Sequence, residues 1–246
     1  MIIYKEEIDS TNLEAARLSD SLPHGTVIAA DAQTAGRGRR GRSWVSRKGE
    51  NLYFSLLLKP KFQPELASML TLVMALAVAQ GVEKVYGCKS QIKWPNDIVV
   101  NGRKVCGILT EMQLEGSKIK HVIVGVGINV NQMTFEEEGL QYASSLQKET
   151  GIYKERQELL ENVIERFDAL YQEFCKTGSL QCMKRAYEER LANRGMEVRV
   201  LDPKCEYVGT ALGINDIGEL LVRREDGSEE TVYAGEVSVR GLYGYV

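Results

Sequence analysis

The sequence predicts a mixed α/β protein that ends in a small all-β module. Three observations carry this. Runs with apolar residues at helical spacing alternate with short β-rich runs over residues 1–192. The pair Asn101-Gly102 sits between two β-rich runs, a strong hairpin signal. Strand patterns then crowd together after residue 195, the texture of a small β-barrel-like domain.

Each element has its own reason. Residues 9–19 read as a short helix, with Thr11 and Glu14 at capping-box spacing. Residues 27–30 and 52–58 read as strands. Leu66, Met69, Leu70, Val73, Met74 and Ala77 recur with helical period, so their helix turns an apolar face to the core. Strand patterns return at 98–100 and 105–112. Val122, Val124, Val126, Ile128 and Val130 alternate as in a strand with one buried face. Leu160, Val163, Ile164, Phe167, Leu170, Tyr171 and Phe174 mark a long helix, and residues 180–191 a shorter one. Short strands are expected at 196–201, 207–213, 219–223, 229–233 and 236–240, with Asp202-Pro203 and Asp226-Gly227 as turns. The expected boundary divides a domain 1–192 from a domain 193–246.

At 246 residues the chain can bury a full core in the larger part. Its formal net charge is −3, which argues against a broad basic face for nucleic acid. The five cysteines, Cys88, Cys106, Cys175, Cys182 and Cys205, are odd in number and hold no CxxC pair. Neither a disulfide framework, a zinc site nor a redox motif is indicated. The first residues carry Lys5, Glu6 and Glu7 where a signal peptide needs an apolar core. The longest apolar stretch, 69–79, is interrupted by Thr71 and is too short to span a bilayer. A cytoplasmic protein with no membrane association is expected. His24 and His121 match no ligand or triad spacing.

One loop stands apart on this slightly acidic background. Residues 36–44 read Gly36-Arg37-Gly38-Arg39-Arg40-Gly41-Arg42-Ser43-Trp44. Arginine presents a planar fork of permanent donors suited to phosphate and carboxylate, and glycine lets the backbone approach a ligand. The segment therefore reads as a cationic lid over a phosphate-bearing ligand, or as a solvated basic loop.

Further motifs follow in a fixed order. They are Ser10-Thr11-Asn12, the segment from Gln33 to Trp44, Lys93-Trp94-Pro95-Asn96-Asp97, Lys104 with Gly107-Ile108-Leu109, Gly125-Val126-Gly127-Ile128-Asn129, and Ala143-Ser144-Ser145-Leu146. Together they resemble the biotin–protein ligases. The late Gly235-Glu236-Val237-Ser238-Val239 fits that family's small C-terminal domain. The resemblance implies a catalytic domain related to class II aminoacyl-tRNA synthetases, followed by an SH3-like barrel. It implies a two-step reaction on ATP and biotin, with Mg²⁺. Biotin is activated as biotinyl-5′-AMP and then passed to a lysine of a biotin carboxyl carrier protein.

The resemblance also places residues. Ser10, Thr11, Asn12, Gln33, Arg37, Gly38, Arg39 and Lys104 would hold biotin. Neutral donors and acceptors suit the ureido ring, which must be hydrogen-bonded once buried. Arg37, Arg40, Arg42, Trp44, Asn96, Asp97 and Asn129 would lie on the nucleotide side. Lys104 and Arg39 would be catalytic, drawing carboxylate and α-phosphate together and stabilising the developing charge. Asp97 is a candidate for positioning or deprotonating the attacking lysine. One carboxylate and two amides leave the metal ligands unassigned. From the residues alone, Ser10 to Asn12 read equally as a helix cap, Gln33 as a solvated amide, Trp44 as core, and Lys104 as a solvated lysine beside a turn. Gly125 and Gly127 would permit close backbone approach.

Some members of the family carry an N-terminal DNA-binding domain and act as repressors. Here the first motif begins at Ser10, so a ligase without DNA binding is expected. A lipoate–protein ligase, sharing the adenylation chemistry, and a nucleic-acid binder using the arginine loop are the competing readings. Pairing of strand edges into a homodimer is left open.

Overall fold

The computed structural model describes residues 1–137, 140–201, 206–234, 238–241 and 245–246. In chain order the elements are β1 (Ile2–Ile8), α1 (Thr11–Arg17), β2 (Thr26–Gln33), β3 (Leu52–Leu58), α2 (Leu70–Tyr86), β4 (Gln91–Lys93), β5 (Asp97–Val100), β6 (Arg103–Glu115) and β7 (Lys118–Ile128). Then come α3 (Leu146–Thr150), α4 (Arg156–Thr177), α5 (Gln181–Glu188), β8 (Glu197–Leu201), β9 (Tyr207–Ile214), β10 (Leu220–Arg223), β11 (Glu229–Val232) and β12 (Ser238–Gly241).

Seven strands form one sheet in the order β1-β2-β3-β7-β6-β5-β4. The β1–β2 pair is parallel, and the other neighbours are antiparallel. Period-two alternation divides its residues between two faces. Phe54, Leu56, Val124 and Val126 point into the main core with α2 and α4. Ile28, Leu57 and Ile123 point the other way, where Ala15 of α1 covers them. Alanine, leucine and valine fill α2, which is buried almost all round. With the preceding 3₁₀ turn, residues 64–86 are long and apolar enough to cross a membrane by length and composition, yet most of that stretch is buried inside the fold. The helix is thus longer than the apolar run 69–79 suggests.

The Asn101-Gly102 hairpin forms between β5 and β6, with φ of 50° and 73° at the two positions. Both residues tolerate the left-handed conformation that a tight hairpin demands. Two edge elements, β1 and β4, have no clear pattern in the sequence. β1 mixes exposed charges with isoleucines, and β4 is only three residues long. The strand expected to reach Val130 ends at Ile128.

The capping-box expectation for Thr11 and Glu14 is corrected. Ser10 occupies the N-cap position and makes no side-chain capping bond, while Thr11 is the first helical residue. The hydroxyl of Thr11 is directed into the network described below, not back onto its own helix.

A second sheet runs β11-β10-β9-β8-β12, wholly antiparallel. It buries Val198, Val200, Ala211, Leu220, Val222 and Val232. The expected turn at Asp202-Pro203, Cys205 and the stretch Gly235-Glu236-Val237 lie outside the described residues. This sheet is fastened to the β4–β5 end of the larger one. Leu191 pairs with Ile92. The Trp94 indole N–H donates to the Gly218 carbonyl at 3.0 Å, and the Ile214 N–H donates to Glu188 at 3.1 Å.

Candidate active site

The face of the large sheet opposite α2 and α4 is only partly covered by α1. Register dictates what lies beyond it. Lys93, Asp97, Gly107, Gly127 and Tyr53 are successive partners across β4, β5, β6, β7 and β3. The next row is Leu109, Gly125, Ser55 and Ile28. Paired side chains share a face, so three glycines leave a floor without side chains. Two groups descend onto it. A Cβ at Gly125 would stand 2.0 Å from Asn12 Oδ1, and one at Gly127 would stand 2.6 Å from the Trp44 ring. One at Gly107 would stand 2.7 Å from the same indole. The close approach expected at Gly125 and Gly127 is made by side chains, an amide at the first and an indole at the second.

A cavity of about 50 Å³ lies between floor and lid. Ser10, Thr11, Asn12, Gln33, Arg37, Gly38, Arg39, Trp44, Asn96 and Lys104 all line it. These residues come from six separate stretches of chain, and the fold brings them to one place. Asp97 stands directly behind Lys104.

One end of the site is largely neutral. Gln33 Oε1 accepts from the Thr11 backbone N–H at 2.8 Å and lies 3.2 Å from its hydroxyl. Gln33 Nε2 donates to Ser46 Oγ at 3.0 Å. Ser55 Oγ donates to Asn12 Oδ1 at 2.5 Å and lies 2.8 Å from Thr11 Oγ1. Asn12 Nδ2 donates to Glu111 Oε2 at 2.7 Å, and Glu111 also pairs with Arg37 at 3.0 Å. Such a connected network fixes its members and leaves donors and acceptors at set positions.

The other end is cationic. Lys104 Nζ is 2.7 Å from Asp97 Oδ1 and 5.5 Å from the Trp44 ring centroid. Burial alone would raise the Asp97 pKa. The Lys104 charge, with hydrogen bonds from Lys104 and Tyr245 and the nearby Lys93, outweighs burial and holds the carboxyl below its ordinary value. Arg39 Nη1 donates to Asn96 Oδ1 at 2.6 Å, and its other arm donates to the Ala234 carbonyl. Burial lowers the Arg39 pKa while Asp97 opposes that shift. The lid is a small hairpin: Arg37 bridges Ser43, and the Gly38 N–H donates to the Arg42 carbonyl at 2.7 Å. Arg40 adopts φ of 59°, a left-handed conformation that is unfavourable for a side-chain-bearing residue. Trp44 Nε1 is buried with no hydrogen-bond partner among the described residues.

Besides Asp97, three expected positions lie outside this cavity. Arg40 borders an adjoining groove of about 300 Å³, together with Tyr233 and Ala234. Arg42 is exposed and borders neither space. Asn129 is buried at the end of β7, and its Nδ2 donates to the Ser144 carbonyl at 2.9 Å. That bond holds segment 142–144, which pairs through its backbone with Lys104. It also explains why Ala143-Ser144-Ser145-Leu146 accompanies the other motifs.

Sequence reasoning missed Ser55, Glu111 and Tyr245, and gave Gly107 only as part of a motif. Ser55 carried a signal, being a hydroxyl inside the apolar run 52–58. Glu111 did too, two steps along the strand from Leu109 on the face of Gly107. Tyr245 carried none.

Comparisons with known proteins show the family and the fold. Residues 4–129 match the biotin/lipoate A/B protein ligase family, and residues 195–240 match the biotin protein ligase C-terminal domain. The bifunctional ligase/repressor BirA of Bacillus spizizenii is 37% identical over 241 residues, covering 97% of this chain and 74% of the relative. The biotin–[acetyl-CoA-carboxylase] ligase of Paracoccus denitrificans is 34% identical over 238 residues, covering 95% of this chain and 98% of the relative. The solved biotin protein ligase of Aquifex aeolicus, in complex with biotin and ATP, superposes with a TM-score of 0.84 at 33% identity, covering 98% of each chain. The fold is that of these ligases, with the small antiparallel sheet at its C-terminal end. The chain belongs to the biotin/lipoate A/B protein ligase family.

Proposed function

We propose that this chain is a biotin–protein ligase that forms biotinyl-5′-AMP and transfers biotin to a carrier lysine. One observation carries the residue assignment. A neutral amide–hydroxyl network and a group of cations meet across a glycine floor in a single cavity. Biotin has that same polarity, with a neutral ureido ring at one end and a carboxylate at the other.

In the first step a biotin carboxylate oxygen bonds to the α-phosphorus of ATP. The bond to the β-phosphate bridging oxygen breaks, and pyrophosphate leaves. Two anions must approach, and Lys104, Arg37 and Arg39 offset their repulsion. Asn12, Thr11, Gln33 and Ser10 take the ureido ring, and Gly38 lets the lid backbone close on the chain. Asn96 and Asp97 hold Arg39 and Lys104 from the nucleotide side. Arg40 and Arg42 extend the positive field toward the departing pyrophosphate. Trp44 covers the floor at Gly107 and Gly127, and its movement to admit the ligand would break no indole hydrogen bond among the described residues.

In the second step the ε-amine of the carrier lysine attacks the acyl carbon. An amide bond forms, AMP leaves, and the amine loses a proton. A closed lid excludes water, which would otherwise hydrolyse the mixed anhydride. Among the described residues no three His, Cys, Asp or Glu side chains cluster as a metal cage. Asp97 is already bonded to Lys104 and Tyr245. Mg²⁺ would accompany ATP, with oxygen donors drawn from its phosphates.

The reading divides the chain into a catalytic domain 1–192 and an SH3-like domain 193–246, and places the enzyme in the cytoplasm. ATP–pyrophosphate exchange tests it. Exchange dependent on biotin and unresponsive to lipoate is expected. Exchange driven by lipoate alone would replace it with the lipoate reading.

A further inference from the structure

Tyr245 is far in sequence from the motifs that define the site, yet it reaches them. Its hydroxyl donates to Asp97 Oδ2. The other carboxylate oxygen, Oδ1, faces Lys104 at 2.7 Å and accepts from Asn96 Nδ2 at 3.0 Å. The Tyr245 ring has the Lys93 ammonium 3.6 Å from its centroid. Its second contact is a stack on Tyr142, with centroids 5.3 Å apart. The Tyr142 carbonyl in turn accepts from the Lys104 backbone N–H at 2.8 Å. One side chain from the tail thus touches β4, β5 and the segment paired with the Lys104 backbone.

We propose that Tyr245 is a positioning residue for adenylation, fixing the Asp97 carboxylate that aims Lys104 at the reacting acid and α-phosphate. The proposal rests on the role assigned to Lys104 above. A carboxylate bonded at both oxygens cannot swing about its Cβ–Cγ bond, so the ammonium it holds stays aligned. With one oxygen released, Asp97 can rotate and Lys104 loses its aim. The groups facing Asp97 are Lys104 from β6, Lys93 from β4, Arg39 from the lid, the buried Cys106 thiol and Tyr245 itself. Of these, the Tyr245 hydroxyl is the one that the small domain's chain supplies. It makes the C-terminal part a contributor to the first chemical step.

Tyr245→Phe keeps the ring against Lys93 and Tyr142 and removes only the hydroxyl. In full-length protein, the single-turnover rate of adenylate formation should fall about tenfold, with KM for biotin and for ATP within about twofold. The acid limb of the rate–pH profile should move to higher pH, because the Asp97 carboxylate loses a donor that favours its charged form. Loss of rate without movement of the limb would be a packing effect and would overturn the proposal. So would a profile that overlays that of the unmodified chain. Carbon-13 titration of the Asp97 carboxyl in ligand-free protein reads the contact without turnover. An upward shift in Tyr245→Phe is expected, and an unmoved titration overturns the proposal. Failure of the unmodified chain to make adenylate would fall on the ligase reading instead.

Discussion

The two faces of the seven-stranded sheet are built from alternate residues of the same strands, yet they do different work. Toward α2 and α4 the strands present Phe54, Leu56, Val124 and Val126. On the opposite face their neighbours are Tyr53, Ser55, Gly125 and Gly127. The first set fills space and stabilises by burial, and methylenes removed from such a core are not replaced. The second set leaves space, and polar or aromatic side chains from distant loops enter it. One strand therefore carries stability and chemistry at once, separated by the strand's two-residue period.

Substitutions on the two faces should separate these properties. The largest effect belongs to the site face. Lys104→Ala should reduce adenylate formation by about 10²–10³-fold, the cost of removing one group that stabilises developing charge. Its thermal midpoint should also fall, because Lys104 is the charge partner of the buried Asp97, so the rate is read on the folded fraction. Near-normal single-turnover adenylation would break the comparison at once. Met74→Ala, on the buried α2, should act on stability alone. It should cost roughly 2–5 kcal/mol in urea unfolding while the turnover of the folded fraction is unchanged. A smaller effect is expected from Gly125→Ala. The added methyl would meet Asn12 Oδ1 at 2.0 Å, so Asn12 must shift from its bonds to Ser55 and Glu111. Calorimetry should show biotin affinity weakened about tenfold, with Kd for ATP alone little changed.

Much of this was legible in the residues. The amphipathic patterns of α2 and α4, the Asn101-Gly102 turn and the alternation in β7 report burial directly, because burial sets hydrophobic period. The site motifs were legible through their order along the chain, and ten of the expected residues line one cavity. What was illegible depends on register and on long-range contact. Thr11 has the spacing of a capping pair, but Gln33 and Ser55 stand closer to its hydroxyl than the helix end does. Glu111 becomes part of the site only because β6 pairs with β7 so that Leu109 meets Gly125. Tyr245 enters through the docking of the second sheet, which no local pattern encodes. Edge strands β1 and β4 were obscure because an exposed or very short strand has little hydrophobic alternation to display.

The most direct measurement of the central claim is a rapid-quench single turnover with purified chain, biotin and magnesium–ATP, in the absence of any carrier protein. The expected result is biotinyl-5′-AMP formed one-for-one with pyrophosphate and retained by the protein. Pyrophosphate release with no mixed anhydride, or an adenylate formed from lipoate and not from biotin, would contradict it.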